Sequence, residues 1–291
     1  ALAAQDGATA PRVLQLPAST RAMALGDAFM MTGESSDAVF YHPALVEGAR
    51  GFGMDIQTWS GDATAASASA ATGWFGGSVA VGIQTLQYGV PDDDLSVLPR
   101  GQDLLFAPGG EPASERVATV AVGREVFGVR MGLAGKLVEQ RVAGERDATG
   151  AVDLGVATEV GPLTAALSAR NLGPEMTFIA GDVPLPRRYT LGVGAYGQEL
   201  GPLDIGLAGS LRYEESEDEL VPGAGLEVGY WPIRGRTFVG RVGVRRVPEG
   251  DASPVSLGFA FWGDDLVLEW AWQPFGGDVD EATHRFGVGW R

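Results

Sequence analysis

From residue 51 to the end of the chain, apolar and polar positions alternate with a period of two. Between Gly128 and Gln140 one face carries Val129, Met131, Leu133 and Leu137, and the other carries Arg130, Gly132, Ala134, Lys136 and Gln140. A helix would scatter these two sets, whereas a strand separates them. The same split sets Leu203, Ile205, Leu207 and Leu211 against Asp204, Gly206, Ala208, Ser210 and Arg212. It recurs with Leu266, Leu268, Trp270 and Trp272 against Val267, Glu269, Ala271 and Gln273. Such segments in series, with no long helical pattern between them, predict antiparallel β structure.

About fourteen strands are predicted, near 52–59, 64–73, 77–87, 116–125, 128–140, 151–160, 163–171, 188–197, 202–213, 221–231, 236–247, 254–262, 265–273 and 283–291. An even number brings both ends of the strand series to the same side. The connections alternate in length: tight ones fall at 76–77, 126–127, 161–162, 199–201, 232–235 and 263–264, and longer ones at 88–115, 141–150, 172–187, 214–220, 248–253 and 274–282. Outer-membrane barrels alternate short periplasmic turns with longer outer loops in this way. Trp59, Trp74, Trp231, Trp262 and Trp290 sit near strand ends, where an interfacial aromatic girdle lies. The fold class expected is all-β, a transmembrane antiparallel barrel with a small N-terminal plug.

Composition is consistent with strands that cross a membrane. The mean hydropathy is only +0.06, and no stretch reaches the roughly eighteen apolar residues that a membrane helix needs. A transmembrane strand needs only about ten residues of alternating polarity. There is no cysteine, so disulfides and thiolate metal sites are excluded. The net charge of −16, with Lys136 the only lysine, opposes nucleic-acid binding. Acidic runs at Asp92–Asp94 and Glu214–Glu219 fall in predicted loops, where they read as solvated surface. Calcium binding by these loops is a weaker reading, because neither has EF-hand spacing.

Residues 1–50 show no strand pattern and form a separate plug segment, with the barrel assigned to 51–291. The opening Ala1-Leu2-Ala3-Ala4-Gln5-Asp6 reads as the small-residue tail of a signal-peptide cleavage region, which predicts an exported, processed chain. A short helix is expected around Asp37–Tyr41, capped by Ser36 or Asp37 and ended by Pro43. Gly26 and Asp27 predict a tight turn in which glycine allows a positive φ. The many Gly and Ala residues on the inner strand faces leave room for this segment.

Inward-facing positions carry charges of both signs: Asp55, Arg130, Lys136, Asp153, Glu159, Arg170, Arg212, Glu227, Arg241, Arg245, Glu269 and Arg285. Mixed sign predicts a paired network that joins plug to wall, in preference to a lumen for a polar solute. His42 and His284 lie in unrelated settings, and no metal-ligand spacing, Ser-His-Asp order or nucleotide-binding glycine motif is present. The chain is therefore read as a non-enzyme without cofactor or metal.

Two N-terminal motifs, Arg21-Ala22-Met23-Ala24-Leu25-Gly26-Asp27-Ala28 and Asp37-Ala38-Val39-Phe40-Tyr41-His42-Pro43-Ala44, resemble the start of the PorV/PorQ family and, more distantly, of the FadL-like transporters. Asp153-Leu154-Gly155, Ala169–Pro174, Leu185–Val193 and His284–Gly289 extend the resemblance over nearly the whole chain. His42 stands where the family commonly has Asn. The resemblance implies a fourteen-stranded bacterial outer-membrane barrel with both termini periplasmic and a plug motif of Arg21, Gly26, Asp27, Asp37, His42 and Pro43. It implies a part in type IX secretion, with partners among secretion-machinery proteins and cargo signal domains. The alternative is a FadL-like channel for hydrophobic molecules, whose partner is a hydrophobic small molecule. Outer-membrane lipid surrounds the barrel in either case.

Overall fold

The structure, a computed structural model, describes residues 11–28, 35–58, 63–88, 113–142, 145–179, 181–233, 235–247, 253–275 and 278–290. The strands are β1 (Gly51–Thr58), β2 (Thr64–Trp74), β3 (Gly77–Gln87), β4 (Ser114–Val126), β5 (Val129–Val142), β6 (Glu145–Val160), β7 (Leu163–Leu172), β8 (Met176–Phe178), β9 (Gly181–Val183), β10 (Arg188–Leu200), β11 (Leu203–Glu214), β12 (Glu219–Ile233), β13 (Arg236–Arg245), β14 (Val255–Trp262), β15 (Leu266–Phe275) and β16 (Asp278–Trp290). All except β8 and β9 form one closed antiparallel barrel of fourteen strands. Each barrel strand pairs with the next barrel strand along the chain, β7 with β10 across the β8–β9 hairpin, and β1 closes on β16 from Phe52 opposite Trp290 to Thr58 opposite His284.

Closure removes every open edge, and the alternation then assigns each residue to a wall. On β5, Met131, Leu133 and Leu137 are exposed outward, while Ala134, Lys136 and Val138 are buried inward. The same outward exposure holds for Phe52, Met54 and Ile56 on β1, Val81 and Ile83 on β3, Leu154 and Val156 on β6, and Leu207 and Leu211 on β11. An apolar exterior this continuous is unfavourable against water and favourable against hydrocarbon. Among the described residues, no helix is long and apolar enough to cross a membrane. Strands of thirteen to sixteen residues, such as β4, β5, β6 and β12, exceed the roughly ten residues that crossing requires.

The start of β1 and the end of β16 lie at the end of the barrel where the turns are tight. Two of these turns place Phe75-Gly76 and Phe127-Gly128 at positive φ in both central positions, the hairpin form that matches strand twist. Trp74, Phe75, Phe127, Tyr230, Trp231 and Trp290 are all exposed around this rim. Trp262 departs from the girdle expectation. It shares the parity of buried Ser256 and Ala260, and Arg21 and Arg241 lie over its ring inside the barrel. Trp59 lies outside the described residues.

At the other end the strands run further than their polarity suggested. The expected loop at 141–150 is largely hairpin, because β5 and β6 stay paired to Val142 opposite Glu145. The stretch 172–187 contains the β8–β9 hairpin, and 214–220 shrinks to a turn over 215–218. The acidic run Asp92–Asp94 lies outside the described residues.

Candidate functional site

The N-terminal segment is held against the inward faces of the wall. It starts with a 3₁₀ turn at Arg12–Leu14 and continues into α1 (Thr20–Ala24), a helix of five residues. The Ser19 hydroxyl accepts from the Ala22 N–H at 3.2 Å and caps α1. After α1 the chain reverses through Gly26 at φ +62° and Asp27 at φ +59°. A Cβ at Gly26 would lie 2.9 Å from backbone atoms of Val244, so both conformation and space require glycine. The expected helix is a 3₁₀ turn, Ser36–Phe40, preceded by Ser35 rather than Ser36 or Asp37 at the cap position. Pro43 does not end it but begins a further 3₁₀ turn, Pro43–Val46, where its missing N–H costs nothing.

Apolar packing supplies one part of the attachment. Ala22, Leu25, Val39, Phe40, Ala44, Leu45 and Val46 are buried in one cluster with inward alanines of the wall. The backbone approaches closely at Gly132, where a Cβ would lie 2.1 Å from the Pro43 carbonyl carbon, and equally at Gly243, 2.1 Å from the Gly26 nitrogen. Here glycine is required by contact, not by φ.

Ion pairs supply the other part, and most join residues far apart in sequence. Arg21 forks onto Glu227, with Nη2 to Oε1 at 2.8 Å and Nε to Oε2 at 3.0 Å. Arg241 donates to the same Glu227 at 2.6 Å and to Glu269 at 2.7 Å. Asp27 pairs with Arg245 and Arg212, and Arg212 and Arg188 share Glu214. Asp55 accepts from the backbone N–H of Thr20 at 2.7 Å and from its hydroxyl at 2.5 Å, which fixes the start of α1. Arg285, also expected inside, donates to the Ala18 carbonyl at 2.6 Å.

Lys136 pairs with Asp153 at 2.7 Å and donates to the Asn171 side-chain oxygen at 2.7 Å. Asn171 sits at φ +59° beside a break in β6–β7 register, and its N–H donates to Asp153 at 2.8 Å. Arg170 donates to the Phe40 carbonyl at 2.9 Å. Arg130 belongs to a different setting. It pairs with Glu159 at 3.5 Å, and that carboxylate is 73% exposed.

Asp37 is buried, and burial pushes its carboxyl up while hydrogen bonds from Ser35 and Ser19 oppose the shift. Burial, reinforced by Arg170, pushes His42 down, so its ring stays neutral. Its Nε2 lies 3.1 Å from the Leu167 carbonyl, an acceptor only, which makes Nε2 the protonated nitrogen. His284 lies elsewhere, on the outer wall, with Trp270 stacked on it at 6.0 Å.

Three residues of this interior escape sequence reading. Arg188 and Glu214 stand at predicted loop borders, although each shares the parity of inward neighbours, Thr190 and Arg212. Glu115 precedes the predicted strand, yet it accepts from the Val13 N–H at 2.6 Å, Tyr88 at 2.9 Å and Gln140 at 3.0 Å. Among the described residues, a cavity of about 20 Å³ is lined by Lys136, Arg170, Arg188, Arg212 and Asp27, and one of about 60 Å³ by Arg21, Asp37, Asp55 and Glu269 together with Phe52 and Trp290 of the rim. The arrangement can hold a segment in place.

Solved transporters and channels share this fold. It is similar to the Ralstonia pickettii toluene transporter TbuX, with a TM-score of 0.53 and 12% identity over 92% of this chain and 95% of that one. It is likewise similar to the CymD monoaromatic hydrocarbon channel, with a TM-score of 0.55 and 11% identity over 92% and 94%. The Pseudomonas putida toluene transporter TodX aligns with a TM-score of 0.50 and 11% identity over 89% and 94%. No family model and no curated protein sequence matches the chain. The fold is therefore shared with these channels, and the PorV/PorQ resemblance rests on the sequence motifs.

Proposed function

We propose that this chain is a non-enzymatic bacterial outer-membrane barrel, closed by its N-terminal segment as a plug, that passes a hydrophobic small molecule. The carrying observation is a fourteen-stranded barrel with an apolar exterior whose interior is occupied by residues of its own N-terminus. The likeness to TbuX, CymD and TodX over about nine-tenths of each chain supports the choice of cargo class. In this reading the tight turns, the start of β1 and the end of β16 face the periplasm, and the longer connections face outward. Passage requires the plug to shift, because the cavities of about 20 and 60 Å³ among the described residues are small for an aromatic ring.

Uptake of a labelled monoaromatic hydrocarbon by cells that lack other hydrophobic-solute channels tests this directly. Expression of the protein in their outer membrane should speed uptake; no change with the protein correctly inserted would reject the cargo assignment.

The densely latched interior favours a second reading, in which the barrel acts through its outer face and loops within type IX secretion. Affinity purification with mass spectrometry separates the two. Co-purified hydrophobic molecules without protein partners support the channel, whereas cargo signal domains or translocon subunits support the secretion role.

A further inference from the structure

The charges around the 20 Å³ cavity do not balance. Lys136, Arg170, Arg188 and Arg212 line it, with Asp27 the one carboxylate among the lining residues. The ion pairs around it add Arg245 on Asp27, Asp153 on Lys136, and Glu214 on Arg188 and Arg212. Among the described residues, five cations thus face three carboxylates, an excess of two positive charges. Glu217 stands near Arg188 and Arg212 but is exposed in its turn, where solvent screens it.

Hydrogen bonding shows the same surplus. Arg170 Nε, Arg188 Nε and the Thr190 hydroxyl are buried without a hydrogen-bond partner among the described residues, and all three side chains line this cavity. These residues are 7%, 5% and 4% exposed. Asp27 Oδ1 also lacks a partner, and it repels negative charge. Its charge is already included in the balance, and it is engaged through Oδ2 by Arg245 and Arg212. Water can meet the unused donors but cannot cancel the net charge, and uncompensated buried charge is strongly unfavourable.

We infer that this chamber is a binding site for one small monovalent anion of the size of chloride. The cavity has room for about one small occupant. A chloride-sized ion accepting from Arg170, Arg188 and Thr190 halves the excess charge of the cluster. It also ties β7 and β10 to the N-terminal segment, whose Phe40 and Leu14 carbonyls accept from the same two arginines. The inference holds whichever molecule the barrel handles.

Bromide is the probe. Crystals of the full chain soaked in sodium bromide should give an anomalous peak in the chamber, within hydrogen-bonding distance of Arg170, Arg188 and Thr190. In solution, bromide and chloride should raise the unfolding midpoint saturably over sodium gluconate at equal ionic strength. T190V removes one donor without changing shape much. It should raise the half-saturating halide concentration about tenfold, the size expected for one hydrogen bond to a charged group. Bromide found only at exposed surface residues, or equal stabilisation by gluconate and halide, overturns the site.

Discussion

Gly132→Ala isolates the contact between the N-terminal segment and the wall. A Cβ at this position would lie 2.1 Å from the Pro43 carbonyl carbon, 2.2 Å from its oxygen and 2.3 Å from the Ala44 nitrogen. Ordinary contact begins near 3.4 Å. The segment must therefore retreat by more than about 1 Å, or β5 must bend outward. Neither atom set is a flexible side-chain end, because all three are backbone. Overpacking of this kind costs about 1–3 kcal/mol, and a backbone-on-backbone overlap belongs at the upper end. Gly135, three residues along the same strand, faces outward and has nothing within 4 Å of its would-be Cβ. Gly135→Ala is thus the matched control, and the gain in strand rigidity makes it neutral or slightly stabilising. Both variants should form heat-modifiable barrels in lipid vesicles. Limited proteolysis should then cut the region around residues 35–50 in Gly132→Ala at least tenfold faster than in Gly135→Ala, as follows from a penalty above about 1.4 kcal/mol. Equal cleavage rates in the two barrels would refute the close packing of Pro43 on β5.

Arg241 has a side chain with no exposure, between Glu227 and Glu269. R241M should cost about 3–5 kcal/mol in urea unfolding from vesicles, while R246M, whose pair with Glu219 is exposed, should cost less than about 1 kcal/mol; similar losses would contradict the buried network. Folding holds His42 neutral, and the unfolded chain takes up its proton below about pH 6.5. Stability contributed by the neutral ring is thus lost as pH falls from that point, and H42Q should flatten this part of the acid-unfolding profile; an unchanged profile rejects the assignment. Phe127 is fully exposed at φ +53°, a conformation that suits Asn better. F127N should be equal or more stable in detergent yet insert less efficiently into vesicles, and improved insertion would count against a headgroup anchor at this turn.

The barrel was legible because a wall between lipid and a packed interior imposes one polarity on every second residue. Met131 and Leu133 against Gly132 and Ala134 could not be read otherwise. Strand ends were less legible, since β5 and β6 leave the apolar zone before Val142 and Glu145 and continue as a polar hairpin with no burial signal. Helix α1 escaped notice because five residues carry no helical periodicity; Ser19 was its only local mark. Asp27 was read as a turn residue, which it is. Its pairing with Arg212 and Arg245 spans about two hundred residues, and no local pattern encodes that. Trp262 shows a legible feature misread: its parity with Ala260 pointed inward, but its place at a strand end suggested the girdle.

A chain without cysteine gives a clean background for the most direct test of the plugged barrel. The Ser36 and Ser69 hydroxyls lie 2.8 Å apart, one on the N-terminal segment and one on the inner face of β2. S36C/S69C, expressed in bacteria and oxidised, should yield an outer-membrane protein with the two positions disulfide-linked and neither thiol open to maleimide. Recovery in the soluble fraction, or a membrane-inserted barrel with both thiols freely labelled, would contradict the account.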